Sequence, residues 1–157
     1  MTFKPSLLYQ RIWRFVILLS GLVFWVTGSH AACSATVAGV SFGNYDVFTA
    51  SSLDSAGNIR VDCDLLTWTY YVIRLGPGNG SYVERQMQHG SHVLAYNLYT
   101  NSSRSQVWGD GNGGTASVNG RSLLGSPGSF PVYGRIPAGQ NTVVGHYTDT
   151  LVVTVEY

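Results

Sequence analysis

Beyond residue 31 the chain has no lysine, and its only lysine is Lys4. Glutamate occurs only as Glu84 and Glu156. The residues that fill helices are scarce, and no segment holds a sustained 3.6-residue apolar period, which argues against a helical fold. No basic tail or cluster appears, and this argues against nucleic acid as a partner. The longest uncharged apolar run, Phe15–Thr27, is about 13 residues, against the roughly 20 that span a bilayer.

That run is preceded by Lys4, Arg11 and Arg14 and followed by "GSHA", with Ser29 and Ala31 at the two positions a signal peptidase reads. Positive start, short apolar centre and small-residue site together predict a secretory signal peptide over 1–31, cleaved after Ala31. The exported part, 32–157, has the size of one domain. It keeps six arginines and eight acids, a net charge of −2.

What is abundant is glycine, with recurring Tyr and Val, the composition of a β protein rich in turns. Alternating segments are separated by turn signals. "SATVAGVSF" (34–42) is followed by "NIRVDC" (58–63), with Ile59, Val61 and Cys63 on one face. "TYYVIRL" (69–75) aligns Tyr71, Ile73 and Leu75, and "HVLAYNLYT" (92–100) aligns Leu94, Tyr96 and Leu98. "FPVYGRI" (130–136) and "HYTDTLVVTVEY" (146–157) follow, the last with Leu151, Val153, Val155 and Tyr157 on one side. "GPGNGS" (76–81), "HGSH" (89–92) and "GDGNGG" (109–114) are turns. Period-two runs at this spacing predict an antiparallel β-sandwich.

The two cysteines, Cys33 and Cys63, both lie in the exported part. In an oxidising compartment such a pair is most simply a disulfide. A lipid on Cys33 would need a leucine-like residue three places earlier, where "HAAC" has His30. Metal is a weaker alternative, because His89, His92 and His146 show no ligand spacing with the cysteines.

Catalytic signatures are missing. "GPGNGS" has no Gly-Lys-Ser/Thr and no following helix. No Gly-x-Ser-x-Gly occurs. Asp62 and Asp64 alternate with Cys63 and read as a solvated face. Asp110 resembles the start of a calcium loop but lacks companion carboxylates. No catalytic residue, cofactor or metal is expected. Trp68, five residues after a cysteine, is expected in the core, and Trp108, beside a turn, on the surface.

The blocks "GVSFGNYD" (39–46), "GNIRVDC" (57–63), "LAYNLYTN" (94–101), "VWGDG" (107–111), "VYGRIPAGQ" (132–140) and "GHYTDTLVVTVEY" (145–157), in that order, resemble the spore-coat protein U domain. The resemblance spans nearly all of 33–157. It implies an immunoglobulin-like sandwich lacking one strand, with Cys33 and Cys63 as the family's disulfide and no catalysis. It also implies a pilus subunit handled by a periplasmic chaperone and an outer-membrane usher, then completed by a strand from a neighbouring subunit. The location would be periplasm, then cell surface, with a role in attachment and biofilm formation.

A sandwich short of a strand exposes core side chains and unpaired backbone, which a lent strand can cover. The closing strand, with Leu151, Val153, Val155 and Tyr157, is the expected groove wall and chaperone contact. Shaft subunits of this kind carry an alternating extension before the first cysteine. Here cleavage after Ala31 leaves Ala32 alone before Cys33, and a donor strand needs about 5–10 residues. The chain is thus expected to accept a strand without giving one, at a tip or other terminal position. A self-sufficient binding sandwich, or a spore or cell coat protein, is the alternative.

Overall fold

The computed structural model describes residues 33–64 and 68–157. The leader expected over 1–31 lies outside the described residues. Eight strands form: β1 (Cys33–Ala38), β2 (Leu53–Cys63), β3 (Thr69–Leu75), β4 (Arg85–His89), β5 (His92–Tyr99), β6 (Val118–Ser122), β7 (Gly128–Ile136) and β8 (Val153–Glu156). No helix occurs among the described residues. Two antiparallel sheets result, one ordered β1-β2-β7-β5-β4 and the other β6-β3-β8. The all-β antiparallel sandwich read from the sequence is the observed fold.

The core follows the alternation. Ile59, Val61 and Cys63 of β2 are buried, as are Leu94, Tyr96 and Leu98 of β5 and Val132 and Ile136 of β7. They meet Tyr71, Ile73 and Leu75 of β3. Cys33 and Cys63 are register partners on β1 and β2 and are joined by a disulfide. The hairpin between β4 and β5 turns at Gly90 and Ser91, with Gly90 at φ 59°, a left-handed conformation that glycine adopts freely.

Three expectations are corrected, and two strands, β4 and β6, were not foreseen because they lacked a sequence signal. The closing strand pairs only over Val153–Glu156, because β3 ends at Leu75, the partner of Val153, and Thr148 just before it bridges to Gln88 of the other sheet. Trp68 is 53% exposed rather than core. Trp108 is 1% exposed, and its indole donates to the Ile73 carbonyl at 3.2 Å. An indole N–H finds a partner when buried, and β3 supplies it here.

Candidate functional site: an open apolar groove

A groove of about 1060 Å³ opens into the core. Its floor is the inner face of the five-stranded sheet, including Ile59, Leu94, Tyr96, Leu98, Val132 and Ile136. One wall is the segment 37–48 and the other the segment 142–151 with Val153. β1 and β8 each end their sheet with a single ladder partner, and both border this groove.

The first wall is held by apolar contact. After Ala38 the chain leaves β2 and lays Val40 and Phe42 over Gly134 of β7. A Cβ at Gly134 would lie 2.6 Å from the Phe42 ring and 2.8 Å from Val40, so this close approach requires glycine. The Phe42 ring meets Tyr96 edge-on at 5.9 Å. Further along, the Tyr45 hydroxyl donates to the Pro137 carbonyl at 3.0 Å and accepts from the Gln140 N–H at 2.9 Å.

The second wall is held by polar contact. Gln88 of β4 and Thr148 exchange two backbone hydrogen bonds, of 2.8 and 3.1 Å. Asp149 is the hub. One carboxylate oxygen accepts from the Tyr96 hydroxyl at 2.7 Å. The other accepts from the Asn79 N–H at 3.1 Å, the Asn79 amide at 2.8 Å and the Thr150 N–H at 2.8 Å. Burial first, then the bond to this carboxylate, pushes the Tyr96 phenol pKa well up, so it stays a donor.

Beneath them lies Arg85, with no exposed surface. Its guanidinium donates to the Gly76 carbonyl at 2.8 and 3.1 Å, to the Trp108 carbonyl at 2.7 Å and to Asn97 Oδ1 at 2.6 Å. Burial lowers its pKa, but a guanidinium keeps its charge in proteins. The Asn97 amide donates on to the Tyr82 and Val83 carbonyls. One side chain thus ties β4 to β5, to the end of β3 and to the loop carrying Trp108.

Of the residues expected on the groove wall, Leu151 and Val153 line the groove. Val153 faces Leu75, and Val155 faces Ile73, in the ladder with β3. Val155 packs on the core outside the lining, and Tyr157 is 59% exposed and also outside it. Sequence reading missed Arg85, Tyr96 and Asp149 as organisers. A lone arginine opening "RQMQH" was the only signal for the first.

Three of the polar residues weighed for chemistry, Asp62, Asp110 and His89, have structural partners. Asp62 pairs with Arg60 at 2.9 Å. Asp110 accepts from the Asn112 N–H at 2.9 Å and the Thr115 hydroxyl at 3.2 Å, bonds that lower its pKa, the Asn112 contact most. His89 packs against Tyr147 at 5.5 Å between ring centres.

Comparison with known proteins agrees with this geometry. The Protein U of Myxococcus xanthus is 32% identical over 130 residues, covering 75% of this chain and 71% of that protein. A similar solved structure is the chaperone–tip adhesion subunit pre-assembly complex from the archaic chaperone-usher Csu pili of Acinetobacter baumannii. Its TM-score is 0.55 at 24% identity, over 81% of this chain and 40% of the chain matched there, a likeness of fold. Residues 23–154 match the Spore Coat Protein U domain, and with that match the disulfide-closed sandwich has its place: the chain belongs to the spore coat protein U domain family.

Proposed function

We propose that this protein is a non-enzymatic subunit of a surface pilus, completed by a strand that first a periplasmic chaperone and then a neighbouring subunit lends it. The observation that carries this reading is the groove of about 1060 Å³, floored by core side chains and bordered by two strands with free edges. A donated strand of typical length, about 5–6 residues, supplies backbone hydrogen bonds along an edge and places alternate apolar side chains into the groove. Each Val- or Leu-sized side chain so buried contributes roughly 1.5–3 kcal/mol. Leu151 and Val153 are the wall residues such a strand would touch.

The leader over 1–31 delivers the chain to the periplasm, and an outer-membrane usher passes it to the surface. Cleavage after Ala31 leaves one residue before Cys33, which supports a tip or other terminal place, with a role in attachment and biofilm formation. No cofactor or nucleic acid enters this function.

Reconstitution tests it. The exported protein should accumulate only with its chaperone, and should then take up a peptide copied from the N-terminal extension of a separate subunit. It should form no fibres alone. A lone chain that stays a soluble monomer and ignores such peptides would sink the proposal, and self-assembly through its own N-terminal strand would sink the terminal place.

A further inference from the structure

Six arginines follow residue 31. Arg60, Arg74, Arg104 and Arg135 each pair with a carboxylate, and Arg85 is buried on carbonyls and Asn97. Arg121 remains. Among the described residues it has no hydrogen bond and no acid partner, and the residues outside that description contain no Asp or Glu. Instead its guanidinium lies 5.4 Å from the centre of the Trp68 ring.

Around it is a flat, open surface. Tyr71, Ile73 and Leu75 of β3 face the core, so Tyr70 faces out, and it is 70% exposed. Arg121 is its cross-strand partner, and Asn119 is the partner of Val72. Arg121 and Asn119 are two residues apart on edge strand β6, so both are on the same outer face, about 7 Å apart along it. Trp68 itself is 53% exposed. Exposed aromatic rings beside an uncompensated cation and a free amide form a specific chemical combination.

We infer that Trp68, Tyr70, Asn119 and Arg121 on the outer face of the three-stranded sheet form a binding site for an acidic polysaccharide carrying uronic-acid units. The C–H face of a pyranose ring packs on an aromatic ring. A uronate carboxylate accepts the paired N–H donors of the guanidinium, which lies over the indole and has no hydrogen-bond partner among the described residues. The Asn119 amide both donates to and accepts from sugar hydroxyls. Charge selects the ligand: an exposed guanidinium with no acid partner among the described residues is complementary to a carboxylate on an anionic chain. The site is on the opposite side of its sheet from the core and the groove, so it stands or falls separately from strand donation.

Electrophoretic retardation of the exported protein in gels containing polygalacturonate tests this, with neutral dextran as the control polymer. Polygalacturonate should retard the protein, dextran should not, and 1 M salt should abolish the effect, since screening shortens to about 3 Å there. Arg121→Gln and Tyr70→Ala, both at exposed positions, should each weaken retardation at least tenfold while the disulfide and circular dichroism stay unchanged. Equal retardation by dextran, or an Arg121→Gln protein that binds as well as the parent, would overturn the site. So would Trp68→Ala lowering adsorption to polystyrene without touching polygalacturonate binding, which would mark an apolar adhesive patch instead.

Discussion

The Tyr96 hydroxyl donates a 2.7 Å hydrogen bond to Asp149, and with it the floor of the groove is fastened to the wall. Asp149 also gathers Asn79 and Thr150, and Gly78 leaves it room: a Cβ at Gly78, which has φ +66°, would run into the carboxylate. Asp149→Ala leaves these donors without their acceptor and should cost about 1–3 kcal/mol. Tyr96→Phe should cost less, about 0.5–1.5 kcal/mol, because it removes one bond. Urea titration of the two single variants and the double variant should give a coupling of at least about 0.5 kcal/mol. Additive losses would mean that the bond does not join floor to wall.

Arg85 makes a sharper case. Its removal strands the Gly76 and Trp108 carbonyls, while Asn97 Oδ1 keeps the Leu98 N–H as a donor. At about 1–3 kcal/mol for each of these two unsatisfied carbonyls, Arg85→Met should lose at least about 2 kcal/mol. Arg85→Lys keeps the charge but not the planar fork, and should not restore the parent. An unfolding free energy from urea titration of Arg85→Met within about 1 kcal/mol of the parent would refute the role.

The same residue explains what the sequence concealed. β2 and β3 were legible because Ile59, Val61 and Cys63, and Tyr71, Ile73 and Leu75, alternate with outward residues. β4 reads "RQMQH", and its most buried position is the arginine, so polarity hid the strand. In β6 the inward Gly120 lies under the Tyr71 ring and Ser122 donates to the Ser126 carbonyl, so no apolar pattern arises. Trp68 was placed by its distance from Cys63, yet its parity with Tyr70, opposite to Tyr71, already pointed outward. Trp108 is buried because a carbonyl of β3 waits for its indole, a long-range fact that no local window contains. On the closing strand the expected wall was Leu151, Val153, Val155 and Tyr157, of which Val155 and Tyr157 lie outside the groove lining. The groove's other wall depends on Val40 and Phe42 crossing Gly134, a contact about 90 residues apart in sequence.

The disulfide adds a covalent tie between edge strand β1 and its one ladder partner, β2. Cys63→Ser should cost about 2–5 kcal/mol and sharply lower the yield of exported protein. Mass spectrometry of the unreduced protein should find no free thiol and no lipid on Cys33. Equal yields with and without the bond would remove its structural importance.

Acid should weaken the outer surface at the Asp54 ion pair. Asp54 accepts from Arg135 at 2.7 and 2.9 Å and lies 3.2 Å from Arg104. The Arg135 bonds, more than the Arg104 charge, hold its carboxyl below the ordinary value. A depressed folded-state pKa means that the stabilisation is complete above the unfolded value, about 3.9, and is lost as pH falls through the lower folded value. The pair is partly solvated, so the whole effect is about 1 kcal/mol or less. The stability gap between the parent and Asp54→Asn should stay constant from pH 7 to about 4.5 and close below about 4. A gap that closes instead between pH 5 and 7 would assign the effect to other groups.

Neighbouring valines on one strand give a test of the groove with its own control. Val153 lines the groove opposite Leu75, whereas Val152 is 70% exposed on the outer side. A strand laid into the groove would cover residue 153 and leave residue 152 in water. Val153→Asp then forces an unpaired carboxylate under the strand, an arrangement that costs several kcal/mol or drives the group to take up a proton. Val152→Asp keeps its charge solvated. Fluorescence anisotropy with a labelled peptide of alternating apolar residues should show binding weakened at least tenfold by Val153→Asp, and within about twofold of the parent for Val152→Asp. Lowering the pH should partly rescue Val153→Asp, because the protonated acid no longer has to be buried as an ion. If the two substitutions weaken the peptide equally, the strand does not lie along the inner face of β8, and the groove has another occupant.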